Sequence, residues 1–269
     1  MTNRLLIIDP QNDFCDIPGA ALPVAGADAD MKRLASFISK AGPGLADIVV
    51  TLDSHPVVAI ERPGFWRTAE GADVPPFTQI THAEVAAGNY LPRNEALLKE
   101  TLQYLQELEA GGKYTLMVWT THCVLGTWGH NIHDAVAQEL AAWEVAAQRE
   151  VAKVLKGRNP MTEQYSAICA EVPRHDDERT QTNMALVERI GSGEGLVLVA
   201  GEASSHCVPA TMRHQFQFMT PSALKRIVVL SDCMSPVGGF EQAQVDFFAE
   251  CKERGIRVMS STEALALLT

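Results

Sequence analysis

Six short runs rich in Val, Ile and Leu, at residues 4–9, 47–53, 114–119, 150–155, 196–201 and 226–232, constrain the fold of this chain more than any other feature. Each is short and nearly continuous, as strands are when both faces of a parallel sheet are covered. Between most of them lie segments with helical spacing of apolar residues: 28–40, 95–109, 133–148, 183–190 and 240–254. The alternation predicts an α/β fold, a three-layer, Rossmann-like, mostly parallel sheet with helices on both faces. Residues 59–94 interrupt it. They carry Pro63-Gly64, Pro75-Pro76 and scattered aromatics without a clear period, and read as a surface excursion bordering the site within one domain spanning 1–269.

Composition excludes several classes. With 46% hydrophobic and 20% charged residues the chain is an ordinary globular one, not a disordered one. A net charge of -11 and the lack of any Lys/Arg block argue against a nucleic-acid partner. No apolar stretch has the length of a membrane span, and the first apolar run is too short for a signal peptide. Six cysteines without paired spacing suit a reducing compartment, so a cytoplasmic protein with no membrane partner is expected. A symmetric homo-oligomer is the usual assembly for such a chain.

In α/β sheets, ligands bind beyond the carboxyl ends of the strands. Here that edge collects chemistry: Asp9 ends the first run, Asp53 and His55 the second, His122 follows the third, Lys156 the fourth and Cys207 the fifth. Cys207, in Ser205-His206-Cys207, stands where a strand passes into a helix, so free N–H groups and the positive helix end favour its thiolate. Taken singly, Cys207 reads as buried packing, Asp9 as a turn cap and Lys156 as a solvated loop residue. Their shared edge argues for chemistry instead. Asp9 can take the thiol proton and return it to a leaving amine, while Lys156 lowers both pKa values and stabilises developing negative charge. Asp13 suits the capping role better than Asp9. His206 neighbours Cys207 but projects elsewhere, and reads as a structural hydrogen-bonding residue rather than a base.

A second constellation joins Asp53-Ser54-His55 to His122. In an extended segment, residues i and i+2 share a face, so Asp53 and His55 can close on one ion while His122 arrives from another strand end. Two imidazoles and a carboxylate leave positions open for water or substrate.

The segments Ile8-Asp9-Pro10-Gln11-Asn12-Asp13-Phe14, Lys156-Gly157 with Tyr165-Ser166-Ala167, and Gly201-Glu202-Ala203-Ser204-Ser205-His206-Cys207-Val208 resemble the three motifs of the isochorismatase-like cysteine hydrolases, and within them the nicotinamidases. The resemblance implies a triad of Asp9, Lys156 and Cys207, a cis peptide at Glu202-Ala203, and an oxyanion hole from the N–H groups of Ala203 and Cys207. It also implies a divalent metal (zinc, iron or manganese) on Asp53, His55 and His122, and an aromatic wall of Phe14, Trp119 and Tyr165 around a pyridine ring. Two departures stand out. Glu202 occupies a place where many relatives carry an apolar residue. Glu61-Arg62 lies where many nicotinamidases have another histidine, so either Glu61 supplies an oxygen ligand or Arg62 fills the space and weakens metal binding.

The implied activity is that of a nicotinamidase-like amidohydrolase: it cleaves a small carboxamide through a cysteine thioester and releases ammonia. An N-carbamoyl or ureide substrate is the nearest alternative. Vinyl-ether hydrolysis of isochorismate leaves Asp53, His55 and His122 without a role. A non-catalytic binding member of the family would be marked by loss of a triad residue, and all three are present.

Overall fold

A computed structural model of the chain describes residues 2–268. Along the chain the first half runs β1 (Asn3–Ile8), α1 (Ala27–Ala41), β2 (Leu45–Asp53), β3 (Trp66–Thr68), β4 (Thr78–Ile80), α2 (His82–Ala86), β5 (Tyr90–Pro92), α3 (Leu98–Ala110), β6 (Leu116–Val118) and α4 (Asp134–Ala147). The second half runs β7 (Ala152–Lys156), α5 (Met184–Gly191), β8 (Val197–Gly201), α6 (Cys207–Phe216), α7 (Pro221–Leu224), β9 (Ile227–Leu230), α8 (Glu241–Glu253), β10 (Arg257–Met259) and α9 (Ser261–Leu265).

A six-stranded sheet, ordered β10-β9-β8-β1-β2-β7 and parallel throughout, forms the centre. Helices surround it in a three-layer α/β arrangement, with α1 packing on α4 and α9, and α5 on α6. Counted along the chain, the sheet strands read 3-2-1-4-5-6. The order therefore reverses between β1 and β8, and the crevice opens there. Leu5, Ile7, Ile8, Leu198 and Val199 are fully buried, which is why these strands read as continuous apolar runs rather than alternating ones. Helix α1 buries Met31, Leu34, Ile38 and Ala41, spaced three and four apart along one face. Truncating Leu34 to Ala would cost about 2–5 kcal/mol.

Two sequence expectations are corrected. The run at 114–119 does form a buried strand, β6, but outside the central sheet, where it pairs antiparallel with β4 through Ile80 and Leu116. An apolar run specifies burial, not which sheet will bury it. The sixth place in the sheet belongs to β10, a three-residue edge strand of intermediate exposure that carries little apolar signal.

The excursion at 59–94 is also more built than its sequence suggests. Strands β3 and β5 pair as a ribbon, and α2 starts at a capping box of Thr81 and Glu84. Ile60, Trp66, Val74 and Ile80 pack with Tyr104 and Leu105 of α3 and with Leu116 and Val118 of β6 in a second hydrophobic cluster. Among the described residues no helix is long and apolar enough to cross a membrane.

Candidate active site

Sheet register brings the first group of side chains together. Lys156, the last residue of β7, is the direct partner of Asp53 at the end of β2, and Ile8 of β1 pairs with Gly201 of β8. Asp9 follows β1 with a left-handed backbone (φ +44°); its N–H donates to Thr51 O (3.1 Å), and the Thr51 hydroxyl donates to Asp9 Oδ1 (2.6 Å). Lys156 Nζ lies 3.0 Å from Asp9 Oδ2, 2.8 Å from Asp53 Oδ1, 3.2 Å from Gln164 O and 3.6 Å from Cys207 Sγ. Beyond that ion pair Asp9 Oδ2 has no hydrogen-bond partner among the described residues, which leaves it a lone pair for a proton. Burial disfavours the ammonium, yet Asp53 and Asp9 outweigh it and hold the Lys156 pKa well above its ordinary value.

Cys207 opens α6, and the tight turn from β8 requires Gly201 (φ +114°), where a Cβ would sit 1.9 Å from Ile8 O. The Glu202–Ala203 peptide is cis. His206 makes no side-chain cap at the helix start, and among the described residues no hydrogen bond within the chain occupies the N–H of Ala203 or of Cys207. Both N–H groups are thus uncommitted, on two residues that line the same cavity.

The electrostatics depart from the expected thiolate. Burial pushes the Cys207 thiol well above its ordinary pKa, and Lys156 opposes this only in part. Asp9 is raised as well, again with burial the largest cause and Lys156 opposing it. In a closed site, desolvation outweighs a single ammonium. Both shifts favour a proton on the sulfur and a more basic Asp9, a pairing suited to moving the proton as the sulfur attacks.

The second group is held by Gln11. Its side chain accepts from Asp53 N–H (2.7 Å) and donates to Asp53 O (2.8 Å), fixing the backbone that carries the carboxylate. His55 Nε2 lies 2.8 Å from Asp53 Oδ1, and His122 Nε2 lies 3.3 Å from Asp53 Oδ2. Gly157 (φ +74°) makes room, since a Cβ there would meet the His55 ring at 2.7 Å. One donor atom from each of Asp53, His55 and His122 lies within 4.8 Å of the others, a set that fits a divalent ion with open positions. Glu61 is not in that set. Its Oε1 lies 2.9 Å from His55 Nδ1, the outer-carboxylate position that orients a ligating imidazole.

With carboxylates at both nitrogens, His55 is raised to about 9, although burial and Arg62 pull it down. His122 is lowered to about 4 by burial and then by Arg62. Arg62 itself is fully buried, with Nη1 2.6 Å from both Thr120 O and His122 Nδ1.

A cavity joins the two groups. Its walls include Phe14, Trp119, Tyr165, Asp53, His55, His122, Lys156, Ala203 and Cys207, while Asp9 sits behind them, fully buried. The three aromatics divide between the ends. Phe14 packs edge-on against His122 (centroids 5.2 Å apart), whereas Trp119 donates its indole N–H to Tyr165 Oη (3.0 Å) and meets His206 at 5.2 Å. His206, bonded through Nδ1 to Ser205 Oγ (2.8 Å), is therefore a wall residue. Leu22, Glu163 and Val237 also line the cavity, unannounced in the sequence because none belongs to a strand-end motif. Glu202 points away from it: its Oε2 accepts from Ser235 N–H (3.1 Å), and burial, then Asp30, raise its pKa well above the ordinary value. The pocket's polar lining comes from Asp53, His55, Arg62, His122, Lys156 and Glu163 instead. Asp13 is the cap expected, accepting from Ala21 N–H (3.0 Å) and Cys123 N–H (2.7 Å).

No protein-family model matches the chain, and no curated protein does either. Solved structures do. Yeast nicotinamidase aligns with a TM-score of 0.64 at 21% identity, covering 96% of this chain and 99% of its own. Pyrococcus horikoshii pyrazinamidase in complex with zinc aligns at 0.56 and 20% identity, covering 97% and 99%. An isochorismatase family protein of Desulfovibrio vulgaris aligns at 0.53 and 18% identity, covering 99% and 98%. The chain has the fold of the isochorismatase-like, nicotinamidase-related proteins, in agreement with the resemblance of its three motifs.

Proposed function

We propose that the protein is a cysteine amidohydrolase that cleaves a small planar carboxamide, with nicotinamide the leading substrate. The observation that carries the reading is the contact of Lys156 Nζ with Asp9, Asp53 and Cys207 Sγ at the wall of an aromatic-lined cavity, beside two uncommitted N–H groups. Cys207 Sγ attacks the amide carbon as its proton passes to Asp9, and the oxyanion is received by the N–H groups of Ala203 and Cys207. Asp9 returns the proton to the amide nitrogen, the C–N bond breaks, and ammonia leaves a thioester. Water, deprotonated by Asp9, then releases the acid and restores the thiol. Lys156 keeps its charge throughout and holds Asp9 and Asp53 in place.

Phe14, Trp119 and Tyr165 favour a flat π-system, each well-placed pair adding about 0.5–1.5 kcal/mol. Asp53, His55 and His122 would hold a zinc, iron or manganese ion, which when bound supplies positive charge to a substrate acceptor such as a ring nitrogen. The name of the Pyrococcus relative in fold, a pyrazinamidase with zinc, supports that assignment. An ammonia-release screen over nicotinamide, pyrazinamide, N-carbamoyl compounds and ureides tests the reading. Turnover of a pyridine or pyrazine carboxamide is expected to exceed the rest, and faster turnover of ureides or carbamoyl compounds would replace nicotinamide as substrate.

A further inference from the structure

Arg62 is a fully buried guanidinium on the cavity wall, one turn of chain after the Asp53-x-His55 pair, and the reaction above gives it no task. Its contacts with His122 decide what that imidazole can bind. Nη1 lies 2.6 Å from His122 Nδ1, and His122 Nδ1 lies 2.8 Å from Thr120 O. Nη1 also lies 3.4 Å from Nε2, so the guanidinium stands beside the ring rather than along the Nδ1 lone pair, and it donates to Thr120 O (2.6 Å). For an ion to bind at Nε2, the guanidinium must withdraw from the ring.

Charge acts in the same direction. Nη1 and Nη2 lie 3.4 and 3.5 Å from His122 Nε2, a distance at which a fixed positive charge repels a divalent cation on that nitrogen. Glu61, 3.4 Å from Arg62 Nε, offsets part of that charge but is already engaged by His55. Among the described residues Nη2 makes no hydrogen bond shorter than the one with His122 Nε2, which leaves it an N–H to donate to a ligand in the cavity.

We infer that Arg62 is a specificity-determining residue: its guanidinium competes with a divalent ion for the His122 side of the pocket and donates a hydrogen bond to a second acceptor on the substrate, a ring nitrogen or exocyclic oxygen remote from the scissile carbonyl. The substrate half of this inference rests on the amidase reading; the metal half does not. A pocket built around a buried donor discriminates strongly against an analogue lacking the matching acceptor.

Three measurements on the full chain decide it. In chelator competition with zinc alone, Arg62→Met should bind at least tenfold more tightly than the wild type; equal affinity overturns the inference. Arg62→Gln, which removes the charge but keeps a polar head, covers the case in which Arg62→Met fails to fold. It should also bind zinc at least tenfold more tightly than the wild type, and wild-type affinity overturns the inference. The ratio of kcat/KM for nicotinamide to that for benzamide, which lacks only the ring nitrogen, should fall at least tenfold in Arg62→Met, while an unchanged ratio removes the substrate half. If neither amide turns over in the wild type, the amidase reading fails and the zinc results alone decide the role of Arg62.

Discussion

At the Cys207 end of the cavity one ammonium, Lys156 Nζ, meets two carboxylates and a thiol within 3.6 Å, whereas at the His122 end a guanidinium stands 2.6 Å from an imidazole that resembles a metal ligand. The first end is assembled from residues at the carboxyl ends of β1, β2 and β7 and from the start of α6, so sheet register and the turn from β8 into α6 set its distances. The second combines a strand end with two residues of the excursion and with the loop after β6. On the proposed reading the reacting groups stand on or next to the sheet, and the groups that select a ligand stand on connections. The two ends should therefore fail in different ways when perturbed.

The largest effect is expected at the first end. Cys207→Ala should lower kcat for amide hydrolysis by about 10⁴-fold or more with the circular dichroism spectrum unchanged, since the nucleophile of a covalent mechanism has no substitute. Near wild-type ammonia release from this variant would erase the contrast between the ends.

Lys156→Met should abolish activity and also destabilise the fold, because Asp9 and Asp53 would be left buried without their shared cation. Removing one partner of a buried pair typically costs about 3–5 kcal/mol, readable as a lowered urea midpoint. Arg62→Met, in contrast, removes a cation whose nearest partner is a neutral imidazole, and should cost less stability than Lys156→Met.

Between the ends lies Glu163, whose pKa burial, then Glu61, raises to about 7. A carboxyl with a folded-state pKa above its unfolded value holds an extra proton in the folded chain, so its contribution to stability is present at low pH and is lost as pH rises towards about 7. Melting temperature should fall between about pH 5 and about pH 8, and Glu163→Gln should flatten that slope by at most about 3 kcal/mol. Glu171, which burial also raises to about 7, should account for a similar share.

The smallest effect concerns the ion. Because Arg62 already places a positive charge at the His122 end, dialysis against a chelator should lower kcat/KM for nicotinamide less than about tenfold, or about 1.4 kcal/mol. A complete loss restored by zinc would show that the two ends do not differ in this way.

The same division explains what could be read from the sequence. Asp9, Asp53, Lys156 and Cys207 each lie at or just past the end of a buried apolar run, and a parallel sheet gathers such positions at one edge. The roles of Glu61 and Arg62 stayed open because they depend on how the excursion folds back, and that path is set by Trp119 N–H donating to Glu61 O (2.8 Å) and by a second core with no strict period. β6 was legible as a strand but not as a member of another sheet, since its partner β4 lies in that excursion. The electrostatics of Cys207 go beyond what the helix start conveys, because local sequence carries the helix end but not the depth of burial that pushes the thiol pKa up.

The most direct test of the central claim is mass analysis of acid-quenched enzyme during turnover of whichever carboxamide the ammonia-release screen shows to be hydrolysed. A thioester mechanism predicts a mass increase equal to the acyl group on the peptide that contains Cys207, appearing with substrate and absent in Cys207→Ala. Steady turnover with Cys207 unmodified, together with activity retained by Cys207→Ala, would contradict it.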